Sequence, residues 1–132
     1  MNVKKCLIAS LAVGIVMNVL DFVFQGQIMA PTYAKLNALF RSDMKIAYLV
    51  IGDFVAALVF VWVYAKVRGS FAAGPKGGAL YGFYAGVLMN FPTWIFMNLL
   101  IVGYPYWLAW VWTIYGIVVA MIAGAVAALV YK

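Results

Sequence analysis

The chain has 132 residues, 69% apolar and 9% charged, whereas a soluble domain carries roughly a quarter charged residues and under half apolar ones. Such a composition cannot cover a surface in water. It excludes a separate soluble domain and points to one domain, residues 1–132, held almost wholly in a lipid bilayer. The formal charge of +6 comes from basic residues in short segments at the ends of apolar runs. That placement fits anionic headgroups and the setting of orientation, and it argues against nucleic acid as a partner.

His and Glu are absent, which removes imidazole ligands for haem, zinc or copper; no cofactor and no metal site is expected. Cys6 is the lone cysteine, so the chain forms no internal disulfide and runs no dithiol cycle of its own. The opening residues imitate a signal peptide, with Lys4 and Lys5 ahead of an apolar run. The run is too long for that role and contains Asn18 and Asp21, and no lipobox precedes Cys6. It is read as a retained first span.

Four apolar runs are predicted to be transmembrane helices, at about residues 6–30, 44–66, 78–103 and 106–131. Each reaches the ~20 residues needed to cross ~30 Å of hydrocarbon. None shows the alternation of an outer-membrane strand. The expected fold class is therefore an all-α membrane protein, four helices in an up-down bundle. Pro31 ends the first run, and Ser42 and Asp43 stand where they would cap the second. Between them, Tyr33, Leu36 and Phe40 share a helical face, which fits either a short interfacial helix or an ordered loop. Gly74-Pro75-Lys76-Gly77-Gly78 is a turn, and Gly103-Tyr104-Pro105 is a tight reversal. Near that reversal Tyr104, Tyr106, Trp107, Trp110 and Trp112 form either an interfacial belt or else an outward-facing aromatic pocket or partner surface.

Lys4, Lys5, Lys66, Arg68, Lys76 and Lys132 fall on one side of this topology, against Lys35, Arg41 and Lys45 on the other. The bias predicts an inner-membrane protein with both termini in the cytoplasm. Gly14-Ile-Val-Met17-Asn18 matches Gly86-Val-Leu-Met89-Asn90 at a constant offset. The match suggests two pseudo-repeated hairpins of the same orientation.

The chemistry-bearing residues lie at mid-span. Gly14, Asn18, Asp21 and Gln25 share one face of the first helix. Gly82, Gly86, Asn90 and Thr93 do the same in the third, and Asp53 falls near the middle of the second. Counting from the helix ends puts Asn18, Asp21, Asp53 and Asn90 in one layer. An Asp at that depth costs about 2.5–3.5 kcal/mol on insertion scales, and no Lys or Arg sits there to pair with it. At least one of Asp21 and Asp53 is expected to be protonated or neutralised by a bound cation. Pro92 removes one helical bond and frees the Leu88 carbonyl beside this layer, either a packing kink or part of a site. Gly116, Ala120, Gly124 and Ala128 recur every fourth residue and allow close helix approach, within the bundle or at an oligomer seam.

Gly14-x-x-x-Asn18-x-x-Asp21 is similar to part of a motif of lipoprotein signal peptidases, four-span proteins with an intramembrane Asp pair. The basic residue that follows the Asp in that motif is Phe22 here. Ile51-Gly52-Asp53-Phe54 does not reproduce the family's second motif, so no catalytic role carries over. The expected function is non-enzymatic. The first reading is a small polar-cored bundle that binds or passes a small solute or proton, with Asn18, Asp21, Gln25, Asp53, Asn90 and Thr93 as binding residues. The second is an accessory subunit of a larger membrane complex. Partners are the lipid bilayer and either further copies of the chain or a membrane complex.

Overall fold

Runs of Ala, Leu, Ile, Val and Phe leave the backbone little to bond with except its own carbonyls, and a helix satisfies them all internally. A computed structural model describes residues 1–132. It is 84% helix without strands. Its helices are α1 (Val3–Val23), α2 (Ala30–Lys35), α3 (Ile46–Val67), α4 (Pro75–Asn90), α5 (Phe96–Leu100) and α6 (Tyr106–Val130). Wide π-type turns, Phe24–Ile28 and Phe91–Ile95, prolong α1 and α4. Four helical stretches are thus long and apolar enough to cross a membrane: Val3–Ile28, Ile46–Ser70, Pro75–Leu100 and Tyr106–Val130.

The helix ends differ from expectation for local reasons. The first helix starts early because the Asn2 side chain caps it, accepting from the Lys5 N–H at 3.0 Å. The third starts at Pro75, in the first turn where the missing N–H costs nothing. It follows Gly74 at φ 86°, and the next reversal uses Gly103 at φ 89°. Pro31 plays the same part in α2: it opens a short helix as well as following the end of α1. The expected cap of the second span is not formed. Lys45 stands at that N-cap without a side-chain bond. Asp43 is instead gripped by Arg41 through two bonds of 2.9 Å. That guanidinium holds the Asp43 carboxyl below the usual carboxylate range. The pair is exposed, so its small contribution is screened; it is present above that range and fades on acidification.

Small residues set the tightest contact. A Cβ at Gly82 would lie 2.0 Å from the Ala120 carbonyl oxygen, and one at Gly78 would lie 2.1 Å from that of Gly124. Further along, Gly86 meets Ile117 and Gly116 meets Asn90. The pairs step in opposite senses along α4 and α6, whose backbones touch over most of their length. The small residues of α6 are therefore occupied within the chain and are not left as an outer seam. Between α1 and α3 the contact is looser and uses a large side chain, with the Phe54 ring lying against Gly14. Cys6, Ala9, Val13, Ala57, Val61, Ala123 and Ala127 are fully buried where α1, α3 and α6 meet.

The outside carries the large apolar residues. Leu7, Leu11, Ile15, Val19 and Phe22 form an exposed stripe along α1, and Val55, Val59, Ile114 and Val118 are exposed on α3 and α6. Only 26 of 132 residues are buried, and large apolar side chains are exposed along all four long helices, where a soluble monomer keeps its apolar patches small.

One end is basic and knitted together. Lys5 Nζ donates to the Lys132 main-chain oxygen at 2.5 Å, and Arg68 donates to the Tyr131 carbonyl at 2.8 Å while lying over the Tyr131 ring. The Asn2 N–H reaches the Tyr131 hydroxyl at 3.0 Å.

The helix contact yields a paired test. Gly82→Val forces α4 off the Ala120 backbone and lowers stability by about 1–3 kcal/mol. Gly52→Ala meets nothing within 4 Å and leaves the melting temperature in detergent level or higher. Equal melting of the two variants would show that α4 and α6 do not meet there.

Candidate functional site

The looseness on one side of the bundle creates a cavity. α3 and α4 have little backbone contact. Toward the basic end, aromatic rings fill the gap between them. Tyr81 packs on Phe60, Tyr64 and Phe71 at 4.8, 5.2 and 5.8 Å between centroids, and its hydroxyl donates to the Phe60 carbonyl at 2.7 Å. Beyond this plug lies a cavity of about 200 Å³. α1 and its wide turn contribute Met17, Asp21 and Gln25, four residues apart and so on one face. α3 contributes Ala56 and Phe60. Met89, Asn90 and Trp94 enter from α4 and its turn, and Trp112, Tyr115, Gly116 and Val119 from α6.

Three hydrogen-bonded groups give the cavity its polarity. The first is the acid pair. Tyr115 donates its hydroxyl to Asp21 Oδ1 at 2.5 Å, and its ring stacks on Phe24 at 4.1 Å. The Asp53 carboxyl lies within electrostatic and hydrogen-bonding reach of Asp21. The one salt bridge in the chain is Arg41–Asp43, so neither Asp21 nor Asp53 has a basic partner.

The second group ties the 30–40 segment over the cavity. Trp112 Nε1 donates to the Tyr33 hydroxyl at 2.7 Å, and that hydroxyl in turn donates to Gln25 Oε1. Tyr33 and Phe40 pack together at 4.9 Å, and both rings lie 6.2 Å from Trp112. Burial pushes the Tyr33 hydroxyl above its ordinary range, against the opposing effect of the Trp112 N–H. It stays a proton donor at neutral pH. Tyr104, 5.5 Å from Trp112, is pushed up to about 12, by burial first and then by Tyr33. Its hydroxyl is buried without a partner.

The third group is Asn90. Its Nδ2 donates to the Gly86 carbonyl at 2.9 Å, and its Oδ1 accepts from Trp94 Nε1 at 3.3 Å. A Cβ at Gly116 would lie 2.1 Å from that Oδ1, so only glycine there lets the amide sit between the helices.

Of the residues expected to form one layer, Asp21 and Asn90 line the cavity, and Asp53 adjoins it through Asp21; Gln25, expected as a binding residue outside that layer, lines it as well. Asn18 does not join them. It turns to the α1–α3 seam, donating to the Gly14 carbonyl at 2.9 Å and the Val50 carbonyl at 3.4 Å. Thr93 is exposed and donates to the Met89 carbonyl at 2.5 Å. The wide turn around Pro92 accommodates the missing N–H and swings Trp94 to the cavity. Asn18 and Asn90 make the same bond to a glycine four residues back. The wide turns, at 24–28 and 91–95, do not keep the offset of the sequence match.

Sequence reasoning missed Tyr33, Trp94, Trp112 and Tyr115 as cavity residues. Trp112, Tyr115, Gly116 and Val119 recur at three- and four-residue spacing, and a mid-span tyrosine hydroxyl needs a partner. That was the available signal. The aromatics near residue 104 divide: Trp112 faces inward, while Tyr106 and Trp107 are exposed.

Fold and site together define an all-helical chain with four helices of membrane-crossing length and a cavity flanked by two unpaired acids. No protein-family model, curated protein or solved structure matches it.

Trp112→Phe removes one hydrogen bond from the cover formed by Tyr33. About 1 kcal/mol of lost local stability corresponds to roughly fivefold faster tryptic cleavage after Lys35 or Arg41, with the global melt little changed. Unchanged cleavage would mean that the indole does not hold the segment down.

Proposed function

We propose that this is a multi-pass inner-membrane protein, an up-down bundle of four spans with both termini in the cytoplasm, whose cavity binds or passes a small solute or proton. The membrane reading is supported by four long apolar helices with large apolar residues outside and small ones inside. The orientation is supported by the basic end, where Lys5, Lys66, Arg68 and Lys132 gather around one shallow cleft.

The observation that carries the functional reading is Asp21 on the wall of a cavity, beside Asp53, with no Lys or Arg to neutralise either. Two neighbouring carboxylates away from water do not both keep a full charge, so the pair holds a proton or attracts a cation. The Tyr115 hydroxyl steadies one Asp21 oxygen and leaves the rest of the pair to exchange. Gln25 and Asn90 supply neutral polar contacts, and Trp94 and Trp112 wall the cavity. An intramembrane acid with these surroundings marks a transfer or binding site by default. The reaction class is non-enzymatic: the cavity brings a proton or solute to the acids and lets it leave.

A second reading, an accessory subunit of a membrane complex, is favoured by the exposed Tyr106 and Trp107 beside the exposed Leu99, Leu100 and Val102. Proteoliposomes separate the two. With an imposed pH gradient, the wild type dissipates it, and Asp21→Asn or Asp53→Asn slows this at least tenfold. If both variants match the wild type in flux but are recovered without a partner that the wild type carries, the accessory reading replaces this one.

A further inference from the structure

The walls of the cavity say what kind of solute suits it. They are mostly apolar, and four of the lining side chains are aromatic: Phe60, Trp94, Trp112 and Tyr115. Trp94 and Trp112 meet edge to face at 4.8 Å between centroids. The acid pair adjoins these rings, since Tyr115 bonds Asp21 directly.

Other ligand classes fit poorly. A bare metal ion asks for about six oxygen ligands, and no cluster of three metal-binding side chains is present. Anions are repelled by the carboxyls. A sugar would leave its hydroxyls against apolar walls. A neutral hydrophobe would leave the acid pair without a counter-charge. A cation that carries its own apolar shell satisfies both the rings and the acids, because aromatic faces attract such cations and the missing basic residue is then supplied by the ligand. The volume of about 200 Å³ lies below the ~300–1,000 Å³ of sites for drug-sized ligands, so the ammonium group must be small.

We infer that the cavity binds a small organic monocation, a quaternary or alkyl ammonium, between the Asp21–Asp53 pair and the rings of Trp94 and Trp112. This rests on the cavity being the working site, as proposed above. The pair takes one positive charge at a time, proton or ammonium, so the two compete. The groups that face the pair are Tyr115 from α6, bonded to Asp21, and Tyr33 from the covering segment. Both are phenols and carry no charge near pH 7, which leaves the carboxyls as the charge that the ligand meets.

The test uses the full chain in nanodiscs and two probes of one shape: choline and its uncharged carbon isostere, 3,3-dimethylbutan-1-ol. Intrinsic tryptophan fluorescence reports binding, since Trp94 and Trp112 lie at the site. Choline is expected to bind at least tenfold more tightly than the isostere and more weakly as pH falls. Trp112→Leu weakens choline about tenfold, and Asp21→Asn brings it to the level of the isostere. Equal binding of the two probes overturns the inference without any variant having to fold. If choline fails to bind while flux through the wild type still depends on Asp21, the ligand class is wrong and the proton reading stands. If that flux is also absent, both fall.

Discussion

Between closely packed apolar helices a polar group must find its partner inside the chain, and that constraint accounts for where most of the few inward-facing polar residues of this protein go. Asn18 and Asn90 return to the carbonyl of a glycine one turn back, and each also meets a neighbouring helix. Thr93 bonds the carbonyl of Met89 beside Pro92. Asp21 has the Tyr115 hydroxyl, whereas Asp53 has only a second carboxyl, that of Asp21, beside it. Most of these groups end with a donor and an acceptor matched. The two carboxyls do not, because each brings the same need. Their excess demand for a positive charge sets this place apart from the remainder of the interior.

The cavity beside them is a product of unequal packing. α4 and α6 approach until glycine meets carbonyl, while α3 is kept from α4 by the rings of Phe60, Tyr64, Phe71 and Tyr81. Those rings fill one half of the gap only. In the other half, Ala56 of α3 is the small residue opposite Met89 and Asn90, and space remains. Glycine in one seam and aromatics in the other thus place a hole next to the acids without any long loop or inserted domain. The 30–40 segment then lies over it, held by Trp112, Tyr33 and Gln25.

Much of this was legible in the amino-acid order. Helix existence followed from unbroken apolar runs, and all four candidate spans lie within a few residues of their expected positions. Asp21, Gln25 and Asn90 were readable as inward-facing because four-residue spacing puts them on polar stripes. What was not legible depended on rotation between helices. Asn18 shares the Asp21 stripe, yet a small rotation turns it to Val50. Depth counting could not see this, because equal depth does not mean a shared direction. The Asp43 cap failed because Arg41, two residues away, offered a stronger bond than the helix N-terminus. Trp112 was hidden among belt aromatics, since composition alone does not separate a ring facing headgroups from one facing a cavity.

The central claim is that carboxyls from α1 and α3 share one site. Glu is absent, so Asp21, Asp43 and Asp53 are the three acidic side chains of the sequence. Side-chain ¹³C labelling of aspartate therefore gives three readable carboxyl signals of the folded chain in micelles. The account predicts that Asp53→Asn displaces the signal of Asp21, its neighbour across the site, and leaves that of Asp43, held by Arg41, in place. An Asp21 signal unmoved by Asp53→Asn would contradict it.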